Sequence, residues 1–135
     1  MRDIKQLARD FASRADFLLV YVAEAHAADE WPVGNPIRYN QPQTIDQRLR
    51  IARDFVAEFE IADTGIPLVV DDMRSGIDQS DNVIVAEDNP VDAAYAIWPT
   101  RFYVVRGGVV QYKAQPDSTH EYKLGSLRSF LQGCC

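Results

Sequence analysis

Three polar side chains near the start of the chain are of types that can move protons. Tyr21 lies near the end of the apolar run at residues 17–22, and Glu24 and His26 come shortly after that run. A histidine titrates near neutral pH, so it can donate or accept a proton in a chemical step. A lone histidine in such a place can instead form a structural hydrogen bond with the backbone. The spacing therefore indicates either a proton-transfer group or a structural turn.

The apolar run at residues 17–22 predicts a buried strand that would position this cluster. It is rich in β-forming residues, short enough for a core strand, and preceded by Asp16. In α/β sheets, ligands bind outside the carboxyl ends of the strands. Glu24 and His26 are therefore expected at the end of the sheet where functional groups normally lie.

Alternating helices and strands are predicted along the whole chain. Apolar spacing predicts helices at 2–14, 45–60, 91–97 and 123–132, and short apolar runs predict strands at 67–71, 101–105 and 109–113. Local signals support these boundaries: a capping-box pattern at Thr44 and Gln47, Asn89 as an N-cap before Pro90, and Gly107-Gly108 as a hairpin turn. Two strands separated by a helix favour a parallel right-handed crossover. Residues 1–135 are thus predicted to form one α/β domain, with a central mixed sheet flanked by helices.

Composition and charge exclude several classes of function. Twenty acidic and fourteen basic residues give a formal charge of −6, which disfavours nucleic acids and anionic membranes as partners. No apolar run approaches the ~20 residues that span a bilayer. The first fifteen residues do not resemble a signal peptide. We therefore expect a cytoplasmic protein with no membrane partner.

The usual signatures of metal and nucleophilic sites are missing. Both cysteines, Cys134 and Cys135, stand at the end of the sequence without CxxC or metal-ligand spacing, and are expected to be an inert tail. Asp71 and Asp72 are adjacent, so on a strand they point to opposite faces and make a poor carboxylate pair. There is no glycine-rich phosphate loop and no Ser/His/Asp order. No metal is expected.

Two segments resemble the iodothyronine deiodinases, thioredoxin-fold selenoenzymes. Residues 21–31, YVAEAHAADEW, resemble the family signature YIEEAHPSDGW, and residues 99–105, PTRFYVV, resemble PERLYVI. The resemblance covers roughly residues 4–131. It implies a thioredoxin-like fold with its usual first strand missing. A strand edge left unpaired in this way favours a homodimer.

The resemblance also implies roles for individual residues. Tyr21, Glu24 and His26 take the places of the proton-relay and substrate-binding group. Arg101 matches an arginine that meets the polar end of the iodothyronine, and Pro99 matches a cis-proline facing the nucleophile. The implied activity is a thyroxine 5'-deiodinase-type reductive dehalogenation of a small iodinated aromatic. A thiol reductant serves as co-substrate, and no other cofactor is implied.

The chain departs from the family pattern at several points. The family's second histidine aligns with residues 40–43, which contain none, and residues 73–90 are longer than in the animal enzymes. Thr100 replaces a glutamate, and His120 has no counterpart. These differences leave a peroxiredoxin-like thiol or selenol peroxidase as an alternative, with peroxide as the substrate.

The family's nucleophile, a selenocysteine or cysteine at a helix N-terminus, has no match within these 135 residues. We expect it upstream of Met1, since a selenocysteine codon is normally read as stop and a gene prediction would restart at the next methionine. The 135 residues alone are then expected to be silent in redox chemistry. If Met1 is the true start, the remaining alternative is a non-catalytic thioredoxin-like binding domain.

Overall fold

The structure, a computed structural model, describes residues 1–32, 39–73, 76–77, 83–84, 89–97, 100–114 and 124–134. Its helices are α1 (Arg2–Asp10), α2 (Ile45–Glu58), α3 (Pro90–Tyr95) and α4 (Leu124–Gly133). Its strands are β1 (Leu19–Tyr21), β2 (Leu68–Val70), β3 (Gly76–Ile77), β4 (Val83–Ile84), β5 (Tyr103–Arg106) and β6 (Val109–Lys113). The predicted order of helices and strands is confirmed. The short antiparallel pair β3–β4 is an addition within residues 73–90.

The first two strands are parallel neighbours, as predicted. Leu19 lies opposite Leu68 and Tyr21 opposite Val70, with α2 in the connection between the strands. The pairing extends past both ends, because the Leu19 N–H donates to the Pro67 carbonyl at 3.0 Å and the Asp71 N–H to the Tyr21 carbonyl at 2.8 Å. Parallel pairing places the carboxyl ends of both strands at the same edge of the sheet.

Strand β1 is less buried than the sequence predicted. Its three residues are half-buried, and Leu18, just before it, keeps 58% of its surface exposed. Phe17, in contrast, packs against the hydrophobic core. An apolar run predicts the position of a strand, but it does not show which face of the strand neighbouring elements cover.

Helix α2 begins at the predicted cap. The Thr44 hydroxyl accepts a hydrogen bond from the Gln47 N–H at 3.3 Å. The Gln47 side chain accepts from the Gln43 N–H at 2.7 Å, one residue before the cap residue that a capping box uses. Both bonds satisfy N–H groups around the start of α2 and hold the incoming segment against it.

The hairpin β5–β6 is antiparallel, as predicted, and turns at Gly107-Gly108. Both glycines have positive φ, 57° and 76°. Residues with a side chain rarely adopt this region, whereas glycine enters it readily. The glycine pair therefore permits the two-residue turn.

The core lies where α1, α4 and the strands meet. Its centre is a cluster of four buried residues from α1, its C-terminal end and α4, and half-buried residues near β1, β5 and β6 pack against it. The central residues are Leu7, Phe11, Leu127 and Leu131, and those packing around them include Phe17, Phe102, Val104 and Tyr112. An ion pair between Arg128 and Asp10, 2.7 Å apart, also joins the two helices. Side-chain packing thus connects strand segments that are distant in sequence.

Two predictions need correction. In the described residues, the strands form three separate two-stranded sheets, β1–β2, β3–β4 and β5–β6, in place of one hydrogen-bonded central mixed sheet. Local sequence patterns define strands, but the choice of partner edges depends on the whole fold. Helix α1 ends at Asp10 and not at residue 14. Phe11 leaves the helical conformation, and its carbonyl accepts the N–H groups of Arg14 and Ala15, so a tight turn brings Phe17 to the core.

Candidate functional site

The predicted polar cluster lies at the carboxyl end of β1, beside the end of β2. Tyr21 is the last residue of β1, and its half-buried ring meets the edge of Phe55 from α2 with centroids 5.7 Å apart. Glu24 and His26 follow in the turn after the strand, both half-buried. The structure thus places these three residues in one short segment at the sheet edge where the sequence predicted them.

His26 is anchored to the backbone through one of its two ring nitrogens. Its Nδ1 lies 3.2 Å from the Trp31 carbonyl oxygen, and its ring meets the Trp31 ring edge-on, 5.2 Å between centroids. A carbonyl oxygen can only accept, so Nδ1 must carry the hydrogen. In the neutral ring Nε2 is then unprotonated and can accept a proton. The backbone contact therefore selects the tautomer in which Nε2 is the accepting nitrogen.

Glu24 is held by the side chain of Gln41. The Gln41 Oε1 accepts from the Glu24 N–H and its Nε2 donates to the Glu24 carbonyl, both at 3.0 Å. The same Nε2 donates to a carboxylate oxygen of Glu30 at 3.0 Å, and the Gln41 N–H donates to Asp29 at 2.8 Å. Gln41 thereby ties the turn after β1 to the segment that leads into α2.

The surroundings of Glu24 change its acidity. Burial of its carboxyl group raises the pKa above the ordinary glutamate value, because desolvation penalises the charged form. The positive charge of Arg48 acts in the opposite direction and lowers the pKa, but burial is the larger effect. Glu24 is therefore a weaker acid than an exposed glutamate, as suits a group that exchanges protons.

A buried polar group that the sequence analysis missed lies behind this site. Arg48 on α2 is 2% exposed, and its Nη1 donates to the Asp71 carbonyl oxygen at 3.0 Å and to the Asn89 side-chain oxygen. Asp71 is 1% exposed, and its carboxylate accepts the N–H groups of Val91 and Asp92, each at 3.0 Å. Asn89 occupies the predicted N-cap position of α3, but Asp71 supplies the capping oxygens in its place.

The sequence did contain a signal for Arg48. Ile51, Ala52 and Phe55 lie three, four and seven residues further along α2, and the first two are buried. This spacing places Arg48 on the inward face of the helix. A charged residue on an apolar face needs a partner inside the protein. Its partners come from segments 23 and 41 residues away, which no local pattern indicates.

The remaining predicted site residues lie elsewhere or outside the described residues. Arg101 is half-buried, two residues before the start of β5, and so belongs to the β5–β6 part of the structure. Pro99 lies outside the described residues, as does Cys135. Cys134 follows α4, and its carbonyl oxygen accepts a hydrogen bond from Arg106 at 2.7 Å. The predicted roles of Pro99 and Arg101 therefore stay predictions.

The described ranges contain neither a cluster of metal-binding side chains nor a membrane-spanning helix. In those ranges, no three or more His, Cys, Asp or Glu residues are grouped so that they could hold a metal ion. None of the helices there is both long and apolar enough to cross a membrane.

The sequence of the chain is similar to those of known proteins. The family model for iodothyronine deiodinase matches residues 1–134. The thyroxine 5-deiodinase of Gallus gallus is 35% identical over 133 residues, which cover 97% of this chain and 44% of the chicken protein. The type I iodothyronine deiodinase of Xenopus laevis is 31% identical over 113 residues, 84% of this chain and 38% of the frog protein. The chain thus spans well under half the length of these relatives. On this match, the chain belongs to the iodothyronine deiodinase family.

Proposed function

We propose that this chain is part of a deiodinase-like oxidoreductase that removes iodine from a small iodinated aromatic molecule. The observation that carries the proposal is the match of residues 1–134 to the family, together with Tyr21, Glu24 and His26 at the end of β1. The relatives named above are deiodinases, and they give no support to a peroxidase or to a non-catalytic binding domain.

The proposed reaction exchanges an aryl iodide bond for an aryl hydrogen bond. Overall, one aryl iodide and two thiols yield the arene, one disulfide, iodide and a proton, so the thiols supply both electrons. His26 is suited to accept or deliver the proton at Nε2, because Nδ1 is bound to the Trp31 carbonyl. Glu24, with its raised pKa, is the second group in the relay, and Tyr21, the last residue of β1, is the third member of the group.

The nucleophile of this scheme is a selenolate or thiolate, which a thiol reductant regenerates. The only cysteines among the 135 residues are Cys134 and Cys135, and Cys134 lies at the far end of α4 with its carbonyl bound to Arg106. We therefore assign the role to neither cysteine and keep the prediction of a selenocysteine or cysteine on the N-terminal side of α1. Residues 1–135 alone are expected to show no turnover.

The fold proposed for the family member is thioredoxin-like. Supporting observations are the parallel pair β1–β2, the antiparallel hairpin β5–β6 and the helices between and after them. Within this fold, Arg101 is proposed to bind the polar end of the substrate.

The test uses the protein extended at its N-terminus to include the nucleophile, assayed for iodide release from thyroxine with dithiothreitol. Replacing His26 by Gln removes the proton-transfer group at similar size. We expect kcat to fall by about 10²–10⁴-fold, the usual contribution of a general acid or base. The matched control is His120→Gln, which removes the other histidine of the chain and is expected to leave kcat unchanged.

Three results would contradict the proposal. Iodide release that survives His26→Gln would exclude His26 from the chemistry. Consumption of peroxide without release of iodide would favour the peroxidase alternative. Turnover by residues 1–135 alone that is lost in a Cys134→Ser, Cys135→Ser variant would assign the nucleophile to the C-terminal end.

A further inference from the structure

The burial of Arg48 has a free-energy cost that the proposed function does not explain. Its guanidinium is almost fully buried, and its Nε has no hydrogen-bond partner among the residues that the structure describes. Burying an arginine costs several kcal/mol unless neighbouring charges and acceptors compensate. Apolar residues packed in the same place often stabilise a protein equally well or better. Stability alone is therefore a weak explanation for an arginine at this position.

The hydrogen bonds of Arg48 locate it behind the candidate site. Its Nη1 donates to the carbonyl of Asp71, whose own N–H donates to the carbonyl of Tyr21 at 2.8 Å. The backbone of Asp71, just after β2, thus links the Arg48 guanidinium to Tyr21, the last residue of β1. The same nitrogen also bonds Asn89, so α2 is connected to the ends of both strands and to the start of α3.

Charges converge on this point from several elements. Asp71 and Asp72 after β2 and Glu24 after β1 all attract the Arg48 charge, which offsets the desolvation that lowers the arginine pKa. Conversely, Arg48 is the charge that acts on Glu24 against burial. Asp71 is already engaged by the start of α3, and Asp72 is exposed. Of these three carboxylates, Glu24 is half-buried, and no backbone N–H of the described residues binds its carboxylate.

We propose that Arg48 is a positioning residue for proton transfer: it fixes the strand ends from which Glu24 and His26 project, and it holds its positive charge near the Glu24 carboxylate. The contribution of Arg48 to turnover rests on the proposed function, whereas its effect on Glu24 does not. Arg48 is not assigned any contact with substrate. Among the described residues, the nearby groups that can carry charge are Arg48 from α2, Asp71 and Asp72 after β2, and His26, Asp29 and Glu30 in the turn of Glu24.

The first test measures the titration of the Glu24 carboxyl by carbon-13 NMR in residues 1–135, with the signal assigned through Glu24→Gln. In Arg48→Met, the titration midpoint is expected to rise, because burial then acts without the opposing charge. Arg48→Lys restores a cation and should return the midpoint toward its original value. Arg53→Met, which removes an exposed arginine from the same helix, should leave it unchanged. A folded Arg48→Met protein with an unmoved midpoint overturns the inference.

A second measurement leaves Arg48 in place, in case Arg48→Met does not fold. The guanidinium nitrogen-15 signals of Arg48 are followed from acid to neutral pH in the original protein and in Glu24→Gln. We expect a shift that follows the Glu24 titration and is absent from Glu24→Gln. Signals that do not respond to Glu24 would overturn the inference.

Turnover of the N-terminally extended enzyme separates this inference from the proposed function. In Arg48→Met, kcat should fall about tenfold near neutral pH with little change in KM. The acidic limb of the profile of kcat against pH should move to higher pH. Both results are expected for loss of a group that acts on the relay and not on substrate binding. An unmoved pH profile would overturn the role in turnover. If the original extended enzyme released no iodide, the proposed function would fail, while the NMR titrations would still decide the effect of Arg48 on Glu24.

Discussion

The contact that His26 makes with the backbone is compatible with the proposed role in proton transfer. The bond from His26 Nδ1 to the Trp31 carbonyl is what a purely structural histidine would form, yet it also leaves Nε2 available for a proton. The sequence predicted that Tyr21, Glu24 and His26 lie at the end of one strand, and the structure places them there, whereas their roles come from the family resemblance and stay predictions. Arg48 and Gln41 were missed as site residues because their partners come from distant segments.

Glu24 carries a prediction at the residue scale. Its pKa is raised on folding by burial, so the protonated form is the one that folding favours. This contribution to stability is fully present below the unfolded-state pKa and is lost as the pH rises through the folded-state pKa. Glu24→Gln, which stays neutral, should therefore have a slightly higher Tm than the original protein at pH 7. Near pH 3.5, about one unit below the ordinary glutamate value, the two should coincide.

Thermal unfolding monitored by circular dichroism at both pH values checks this prediction. Glu58→Gln, at an exposed position on α2, is the matched control and should show no comparable gain at pH 7. A lower Tm for Glu24→Gln at pH 7 would mean that attraction to Arg48 outweighs the cost of burial.

At the scale of elements, the sequence predicted most of the secondary structure and part of its pairing. Helix α2 follows from Thr44 and its apolar spacing, the hairpin β5–β6 from its glycine pair, and the parallel pair β1–β2 from the helix between the strands. The predicted union of these strands into one sheet was wrong for the described residues. Pairing within a hairpin is determined by local sequence, whereas pairing between separate two-stranded sheets depends on the tertiary fold.

The turn between β5 and β6 gives a prediction at this scale. Gly108 has φ 76°, and a Cβ added there would meet no atom within 4 Å. Gly108→Ala should therefore lower the free energy of unfolding by about 1 kcal/mol through backbone strain alone. Gly125→Ala is the matched control. The space around Gly125 is also open, but Gly125 lies in α4, where alanine is neutral or stabilising. Urea denaturation of both variants measures the difference, and equal effects would argue against strain at the turn.

At the scale of the whole molecule, one apolar cluster packs together parts that share no hydrogen-bonded sheet among the described residues. Leu7 and Leu131 belong to helices at opposite ends of the sequence. Phe17, just before β1, and Val104, on β5, pack against the cluster. The family match extends over the same span, residues 1–134. The expected homodimer, thiol reductant and cytoplasmic location concern the protein beyond this fold and stay predictions.

Leu7, 1% exposed, allows a test of this connection. Leu7→Ala should lower the free energy of unfolding by about 2–5 kcal/mol, as for other buried leucines. Hydrogen exchange of amides in β1 and in β5 should accelerate by the same factor, since both strands depend on one core. Leu18→Ala, at an exposed position beside β1, should change stability by about 0.5 kcal/mol or less. Faster exchange in only one of the two strands would show that they unfold independently.

The side chain of Gln41 also has a consequence for how this sequence can diverge. Its amide offers Glu24 one acceptor and one donor, as a peptide group of an adjacent strand would, so a single side chain stands in for a stretch of backbone. Backbone can be supplied by any residue, but this amide can come only from glutamine or the shorter asparagine. Glutamate at position 41 would lose the donor, and a shorter or apolar residue would lose the reach or both bonds. Position 41 is thus expected to tolerate few substitutions, and a change there requires a compensating change near Glu24.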